Sequence, residues 1–169
     1  QTKHRFPFPW NRLDFFNAFP ESVYGTPFEL EPIEVDSTED YDLIVLAYTV
    51  WYLNPSIPIS SLLQHADANG IFNGKPVITL IGSRNMWVLA QEKVKRHLQG
   101  LGANLIGNVV LIDRNPNLIS IITIIRWMFY GRKDAFWGFP RAGIIQEDIE
   151  NSSRFGHIIL NRLKNKDLS

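Results

Sequence analysis

The chain has 169 residues, 45% of them hydrophobic and 20% charged, which is enough to bury the core of one globular domain. Basic and acidic residues number 17 each, so the chain has no net charge that would attract nucleic acid or an anionic membrane. It has no cysteine, which excludes disulfides, cysteine-ligated metals and a thiol nucleophile, and which is compatible with a cytoplasmic protein.

The N-terminal forty residues are rich in proline and aromatic residues. Five of the ten prolines lie between Pro7 and Pro32, and proline fixes φ and removes a hydrogen-bond donor. We therefore expect irregular structure over 1–40, with short helical turns around 13–18. The segment 6–10 is too interrupted by proline to be the apolar part of a signal peptide, and the first residue is not Met. We expect the sequence to begin partway through a longer protein.

Three continuous apolar runs predict strands at 43–50, 75–82 and 105–112. Runs of this kind are typical of strands buried on both faces of a parallel sheet. Between them, apolar residues at helical spacing predict helices at 59–66 and 85–99. Acidic residues form a solvated approach to the first strand, at Glu29, Glu31, Glu34, Asp36, Glu39 and Asp40.

Another apolar segment, 118–130, follows the third strand and forms most of a predicted helical insertion, 116–133. It is shorter than the roughly 20 residues needed to cross a bilayer. One interpretation buries this helix in the core or in a homodimer interface. The other makes it an apolar wall or an interfacial helix that admits alkyl chains, with Arg126, Arg132 and Lys133 at headgroup level.

The last predicted helix covers 146–164. Its periodic apolar residues are expected to be buried, namely Ile149, Phe155, Ile158, Ile159 and Leu163. Strands that alternate with helices across short connections predict one doubly wound parallel sheet in a single domain, 1–169. Ligands bind such sheets beyond the carboxyl ends of the strands, which selects the loops after Val50, Gly82 and Asp113.

The first of these loops places two aromatic residues, Trp51 and Tyr52, directly after a buried strand, followed by Asn54 and Pro55. Aromatic faces stack on a planar heterocycle, and backbone amides of a rigid loop can bind its edge. The spacing permits equally well that Trp51 and Tyr52 cap the sheet and bind no ligand.

The second loop combines Gly82, Ser83, Arg84 and Asn85 at the start of a predicted helix. Glycine permits close backbone approach, and the serine and asparagine offer hydrogen bonds at a helix N-terminus. Alternatively, Asn85 is only the N-cap of that helix. The segment 113–115, after the third strand, is interpreted as a helix cap or a salt-bridge corner.

Three other classes of site have no matching pattern. The four histidines are scattered without the spacing of metal ligands. The sequence has no Gly-x-Ser-x-Gly elbow and no glycine-rich phosphate loop, which argues against a hydrolase nucleophile and a P-loop or dinucleotide site.

The segments 41–46, 49–51 and 54–55 resemble the third strand and following flavin loop of flavodoxin-like proteins and their NAD(P)H-dependent reductase relatives. The segment 74–82 is similar to the fourth strand and second flavin loop. More closely, four stretches resemble the flavodoxin-like dialkylresorcinol-condensing enzymes of bacterial pigment clusters. They are Phe-Pro-Phe-Pro-Trp at 6–10, Ser-Ile-Pro-Ile-Ser-Ser at 56–61, Arg-Asn-Met-Trp at 84–87 with Ala-Gln-Glu-Lys-Val at 90–94, and Asn-Leu-Ile-Ser at 117–120 with Arg-Trp-Met at 126–128.

The resemblance implies a three-layer α/β/α sandwich whose sheet has the strand order 2-1-3-4-5. The chain would hold strands 3, 4 and 5 of that sheet. Nothing before Phe6 matches the family's first strand or the Ser/Thr-rich loop that wraps the FMN phosphate, and the second strand also belongs upstream. We therefore expect an N-terminally incomplete domain in which strand 3 is an open edge, a liability for pairing and aggregation.

The resemblance also implies FMN as cofactor, with the flavin ring between the loops 51–55 and 83–87. The implied contacts are Val50, Trp51, Tyr52, Asn54, Pro55, Gly82, Ser83, Arg84, Asn85 and Trp87. Trp51 and Tyr52 would contact the ring faces, and Arg84 and Asn85 the polar edge. Without the phosphate loop, we expect no tight FMN binding by this chain.

With the missing N-terminal part supplied, the implied activity is a flavin-dependent oxidation or aromatisation of an alkylated cyclic diketone in dialkylresorcinol pigment biosynthesis. The chain without that part is expected to be inactive. No catalytic residue is assigned. The partners implied are a lipophilic substrate and, through the apolar insertion, a second copy or a membrane surface. The alternative is a flavin-free flavodoxin-like module that binds a biosynthetic partner such as a ketosynthase.

Overall fold

The computed structural model of the protein describes residues 1–35, 40–165 and 167. Asp36 and Glu39, part of the acidic approach to the first strand, lie outside the described residues. Four strands form one sheet, and they are β1 (Ile44–Trp51), β2 (Asn54–Pro55), β3 (Pro76–Ser83) and β4 (Asn104–Ile112). The sheet order is β2-β1-β3-β4.

The three long strands of the sheet are parallel. β1 pairs with β3 from Ile44–Val77 to Thr49–Gly82, and β3 pairs with β4 up to Ser83–Ile112. The short β2 folds back antiparallel onto Val50 and Trp51. The chain therefore has a flavodoxin-like α/β fold, and each predicted strand is confirmed to within one residue at either end.

Seven helices lie in the part of the chain that the structure describes. They are α1 (Arg12–Tyr24), α2 (Ile57–Leu63), α3 (Ala68–Phe72), α4 (Val88–Gly100), α5 (Asn117–Tyr130), α6 (Gln146–Asn151) and α7 (Ser153–Lys164). The predicted helix 59–66 is thus replaced by two shorter helices, α2 and α3.

The N-terminal region contains a longer helix than its prolines predict. α1 has 13 residues and includes Pro20. The Asn11 side chain accepts a hydrogen bond of 2.8 Å from Asp14 N and so caps the helix, and Gly25 ends it at a φ of 68°. The prediction of only short turns was wrong because two strong caps define a helix that tolerates its internal proline.

One face of the sheet carries the hydrophobic core. α2, α3 and α4 cover this face with alternate residues of β1 and β3 facing them. The fully or almost fully buried members are Leu46, Tyr48, Leu63, Ala68, Phe72, Val77, Ile81, Ala90, Val94 and Leu98. Because burying one large apolar side chain contributes about 1.5–3 kcal/mol, this cluster holds α4 firmly against the sheet.

The opposite face of β1 is open, so the prediction that this strand is buried on both faces was wrong. Val45, which alternates with the buried Leu46, is 51% exposed, and Ala47 and Thr49 are exposed as well. Along its outer edge, β1 pairs only through Val50 and Trp51 with β2. Within the described residues, 44–48 have no strand partner on that side, so the expected open edge is present.

The C-terminal helix differs from its prediction. A break at Ser152 separates α6 from α7, so 146–164 is not one helix. Ile149 and Ile158 are exposed, against the expectation of burial, whereas Phe155 and Ile159 are half-buried. A helical hydrophobic period shows which residues share a face but not whether another element covers that face.

The apolar insertion forms α5. In a core helix the apolar residues are buried and the polar ones exposed, whereas α5 shows the reverse. Its buried residues are Ser120 and Thr123. Its exposed residues include four aliphatic ones, Leu118, Ile121, Ile122 and Ile125. The helix is therefore not buried in the core of this chain. Among the described residues, no helix combines the length and the apolar character that a membrane span requires.

Candidate functional site

The candidate loops lie side by side at the carboxyl edge of the sheet. Thr49 at the end of β1 pairs with Gly82 near the end of β3, and Gly82 pairs with Leu111 of β4. Because the three strands are parallel and in register here, the loops after β1, β3 and β4 emerge from one edge. The predicted grouping of the loops at this edge is therefore present.

In the first loop, Trp51 is packed against the N-terminal segment. Its half-buried ring makes edge-to-face contacts with Phe6 and Trp10, at centroid distances of 5.2 and 5.4 Å. The Ser22 hydroxyl of α1 donates to Trp51 O at 3.1 Å. Part of the expected ring platform is thus covered by the protein's own aromatic residues, and such pairs are worth about 0.5–1.5 kcal/mol each beyond their buried area.

Tyr52 is held in the same way. Its ring contacts Phe15 at 5.0 Å and Phe19 at 5.1 Å, and its hydroxyl donates to Phe15 O. Burial raises the pKa of Tyr52 above the ordinary tyrosine value. Both predicted ring contacts therefore also cap the sheet, as the alternative interpretation had it.

The turn between β1 and β2 is formed by two residues with positive φ, Tyr52 at 49° and Leu53 at 66°. Non-glycine residues rarely adopt this conformation, which suits a tight hairpin turn. It directs Asn54 and Pro55 back along β1, where both are buried. The Asn54 amide donates to Tyr52 O at 2.7 Å, and its oxygen accepts from Lys93 Nζ of α4.

In the second loop, two polar side chains form hydrogen bonds with the same asparagine. Arg84 Nη1 donates to Asn117 Oδ1 at 2.8 Å, and Asn85 Nδ2 donates to the same oxygen. Asn117 begins α5, so it joins the second loop to the apolar helix. Asn117 was not among the predicted site residues; the available signal was a proline and a polar residue immediately before an apolar run.

Two buried polar atoms of this loop have no partner among the described residues, the Ser83 hydroxyl and Asn85 Oδ1. Asn85 is not the N-cap of α4, because that helix begins at Val88 with Trp87 at its cap position. Trp87 itself packs against the hydrophobic core. Ser83 and Asn85 thus retain unused hydrogen-bonding capacity that the local helix does not explain.

Asp113 forms a structural corner at the end of β4. It is only 4% exposed, and its carboxylate accepts hydrogen bonds from Asn115 N at 2.9 Å, Asn115 Nδ2 at 2.8 Å and Ser120 Oγ at 2.9 Å. Its backbone N–H bonds to the carbonyls of Ser83 and Arg84. The corner therefore fixes the second loop relative to the first turns of α5.

A flavin ring fits these loops only in part. The imide edge of the ring presents an N–H donor between two carbonyl acceptors, and a hydroxyl beside an amide oxygen matches such an edge. Ser83 and Asn85 carry an unpartnered hydroxyl and an unpartnered amide oxygen, both buried, whereas the rings of Trp51 and Tyr52 are in contact with aromatic neighbours. The described loops at this edge offer a partner for the ring's edge but no phosphate loop.

Comparison of the chain with protein-family models, with curated proteins and with solved structures finds no match.

Proposed function

We propose that the chain is a flavodoxin-like, flavin-dependent oxidoreductase that binds the flavin ring at the carboxyl edge of its sheet and oxidises an alkylated cyclic diketone. The main observation behind the proposal is that Arg84 and Asn85 both form hydrogen bonds with Asn117, the first residue of α5, a helix with an exposed apolar face. This arrangement puts unused polar groups and an exposed apolar surface next to each other. The substrate class itself rests on the resemblance to dialkylresorcinol-condensing proteins.

The polar half of the proposed site recognises the ring edge. Both atoms are buried, so the loop has to open for the ring to reach them; the Ser83 hydroxyl would then donate to a ring carbonyl and Asn85 Oδ1 would accept from the ring N–H, which would satisfy both unpartnered atoms. When bound, FMN would supply the redox chemistry, and the protein's part is to hold and orient the ring. Arg84 keeps a positive charge at this edge, suited to stabilising negative charge on a substrate oxygen.

The apolar half of the proposed site is the exposed face of α5. Leu118, Ile122 and Ile125 recur at intervals of four and three residues, so they lie along one side of the helix. Alkyl chains laid on this face would gain about 25 cal/mol for each Å² of apolar surface removed from water. A membrane surface or a second copy of the chain would contact the same face.

The runner-up function is a flavin-free module that binds a biosynthetic partner such as a ketosynthase. The packing of Trp51 and Tyr52 against the N-terminal segment favours it, because a ligand that stacks on these rings has to displace Phe6, Trp10 or Phe15. In that case the apolar face of α5 would be the partner's contact surface.

Titration with lumiflavin, riboflavin and FMN, followed by flavin fluorescence, separates the two functions. The oxidoreductase proposal expects similar, weak binding of all three, because the ring edge is recognised and the phosphate is not. Ser83→Ala and Asn85→Ala should each weaken binding about three- to tenfold. Ser153→Ala and Asn151→Ala, at exposed positions, are the matched controls. If riboflavin does not bind at 1 mM, or if all variants bind it equally well, the oxidoreductase proposal is contradicted and the flavin-free module is the remaining function.

The role of α5 is tested with substitutions on its exposed face. Ile122→Ser and Ile125→Ser should lower the affinity for an alkylresorcinol, whereas Ile158→Ser on α7 should not. Unchanged alkylresorcinol affinity contradicts the proposed substrate site. Sedimentation with anionic liposomes and size-exclusion chromatography of the same variants then show whether the face serves a membrane or a second copy.

A further inference from the structure

A cleft of about 480 Å³ lies between the end of α1, β2, α2 and α4. α4 contributes Lys93, Arg96 and His97 to its lining, and α2 contributes Ser60 and Gln64. The Gln64 amide donates to Ser60 O and to Gly25 O, both at 2.9 Å, and so ties α2 to the end of α1. The cleft is therefore a fixed part of the fold and not a gap between loose segments.

Lys93, Arg96 and His97 lie on one face of α4. Their spacing, i, i+3 and i+4, puts neighbouring side chains next to each other. Arg96 donates from Nε to the backbone oxygen of Glu92 at 3.3 Å. Lys93 Nζ donates to Asn54 Oδ1 and, at 3.4 Å, to Val23 O. Among the described residues, neither cation is within ion-pair distance of a carboxylate.

The lining of the cleft contains no acidic residue, and its titratable groups are Lys93, Arg96 and His97 of α4 and Tyr24 of α1. Burial, and after it the charges of Arg96 and Lys93, hold the pKa of His97 below its ordinary value of 6.5. Like charges held together without a counterion cost free energy. An anion in the cleft would remove this cost.

We propose that this cleft binds the phosphate group of a small phosphorylated organic ligand. The Arg96 guanidinium offers its remaining N–H donors as a fork, Lys93 supplies a point charge, and His97 is a third donor when protonated. Tyr24 is 84% exposed at the cleft and presents a ring to the organic part of the ligand. The volume lies within the range of about 300–1,000 Å³ typical of small-molecule sites, which exceeds what a bare phosphate ion needs.

The cleft shares Asn54 and Pro55 with the first predicted flavin loop, but its lining contains none of Ser83, Arg84 and Asn85, on which the proposed recognition of the flavin edge rests. Its test uses inorganic phosphate and phenyl phosphate, which contain no flavin ring. A negative result for phosphate binding in the cleft can therefore be distinguished from a negative result for the proposed oxidoreductase function.

The experiment is an NMR titration of the histidine rings at low ionic strength. His97→Gln assigns the His97 signal, and the other three histidines of the chain are internal references. Among the histidine signals, both probes should shift only that of His97. Because an anion binds the protonated ring more tightly than the neutral one, bound phosphate should also raise the pKa of His97. Phenol, which has no phosphate, should produce no shift.

Arg96→Gln should weaken binding of both phosphates about tenfold, as expected for the loss of one charged hydrogen-bonding partner. Lys95→Gln removes the same charge from the same helix but outside the cleft lining, so it is the matched control. Tyr24→Ala should remove the advantage of phenyl phosphate over inorganic phosphate and leave the latter unchanged.

The proposal is overturned if neither phosphate shifts the His97 signal. It is also overturned if Arg96→Gln and Lys95→Gln weaken binding equally, because phosphate would then be attracted non-specifically by the positive charge of the helix. Equal affinity for inorganic and phenyl phosphate would overturn the assignment of an organic ligand. Because Arg96 is exposed, its substitution leaves the core intact, and circular dichroism of the variant verifies this.

Discussion

Tyr48 Oη donates a hydrogen bond of 2.7 Å to Gln91 Oε1 in the buried interface between β1 and α4. The same glutamine donates from Nε2 to Thr79 Oγ1 at 3.0 Å, and Thr79 Oγ1 lies 3.1 Å from Asn108 Oδ1. A chain of polar contacts thus crosses from β1 through α4 to β3 and β4. Tyr48, Gln91 and Thr79 are buried, so each depends on its neighbour for a hydrogen-bond partner, whereas Asn108 at the end of this chain of contacts is exposed.

Tyr48→Phe should lower the free energy of unfolding by about 1–3 kcal/mol, because it leaves Gln91 Oε1 buried without a donor. Tyr130→Phe, at an exposed position, should change it by less than about 0.5 kcal/mol. Urea denaturation measures both. Adding Gln91→Leu to Tyr48→Phe should cost less than the sum of the single changes, since the orphaned acceptor is then gone. Additive effects would show that the two side chains are not coupled.

The buried carboxylate of Asp113 gives a second stability prediction. Ser120→Ala removes one of the three hydrogen bonds that it accepts, and the expected loss is about 1–3 kcal/mol because the partner is charged. Ser153→Ala on α7 is the exposed control, with no expected change. Thermal unfolding of the two variants is sufficient to compare them. Equal midpoints would mean that Asp113 does not need Ser120.

The pH dependence of stability should contain a contribution from His97. Its pKa in the folded chain is lowered below 6.5, so the unfolded chain binds the proton more readily. This contribution is therefore complete above pH 6.5 and is lost as the pH falls from there through the folded pKa. His97→Gln should flatten the corresponding slope in urea denaturation between about pH 5 and 7. An unchanged slope in His97→Gln refutes the prediction.

The hydrogen bond from Arg84 to Asn117 should protect the second loop from proteolysis. Asn117→Ala removes the oxygen that accepts from both Arg84 and Asn85, so the loop should open more often. We expect trypsin to cleave after Arg84 several times faster in this variant, as measured by mass spectrometry of the fragments. Asn161→Ala on α7 serves as the control, and equal cleavage rates would exclude a restraining role for Asn117.

The parallel strands were predictable because their signal is local. A continuous apolar run such as 43–50 is typical of a parallel strand, although only one face of β1 is buried, and the lengths of the connections allow little besides a parallel arrangement. The extent of α1 was not predictable by the same rule. Pro20 argues against a helix interior, and the caps at Asn11 and Gly25 become decisive only once the helix is formed.

The candidate site was predictable at the level of loops but not of contacts. The sheet topology brings Trp51 and Ser83 to one edge, as the strand pattern indicated. The partners of Trp51 come from residues more than forty positions earlier, such as Phe6, and no local pattern specifies such a pairing. The cleft at Lys93 was not predictable for the same reason, because its other walls come from α1, β2 and α2, and basic residues in the second half of a helix are also explained by the helix dipole.

The open edge of β1 also determines how the backbone amides of the sheet exchange with deuterium. In a parallel strand, successive N–H groups point alternately towards the two sides, so an edge strand has only every other amide bonded to its neighbour. Exchange along 44–48 should therefore be fast and slow at alternate residues, whereas β3, which lies between β1 and β4, should be slow throughout. A one-residue shift in the pairing of β1 with β3 would exchange the fast and the slow positions, so the pattern reports the register directly.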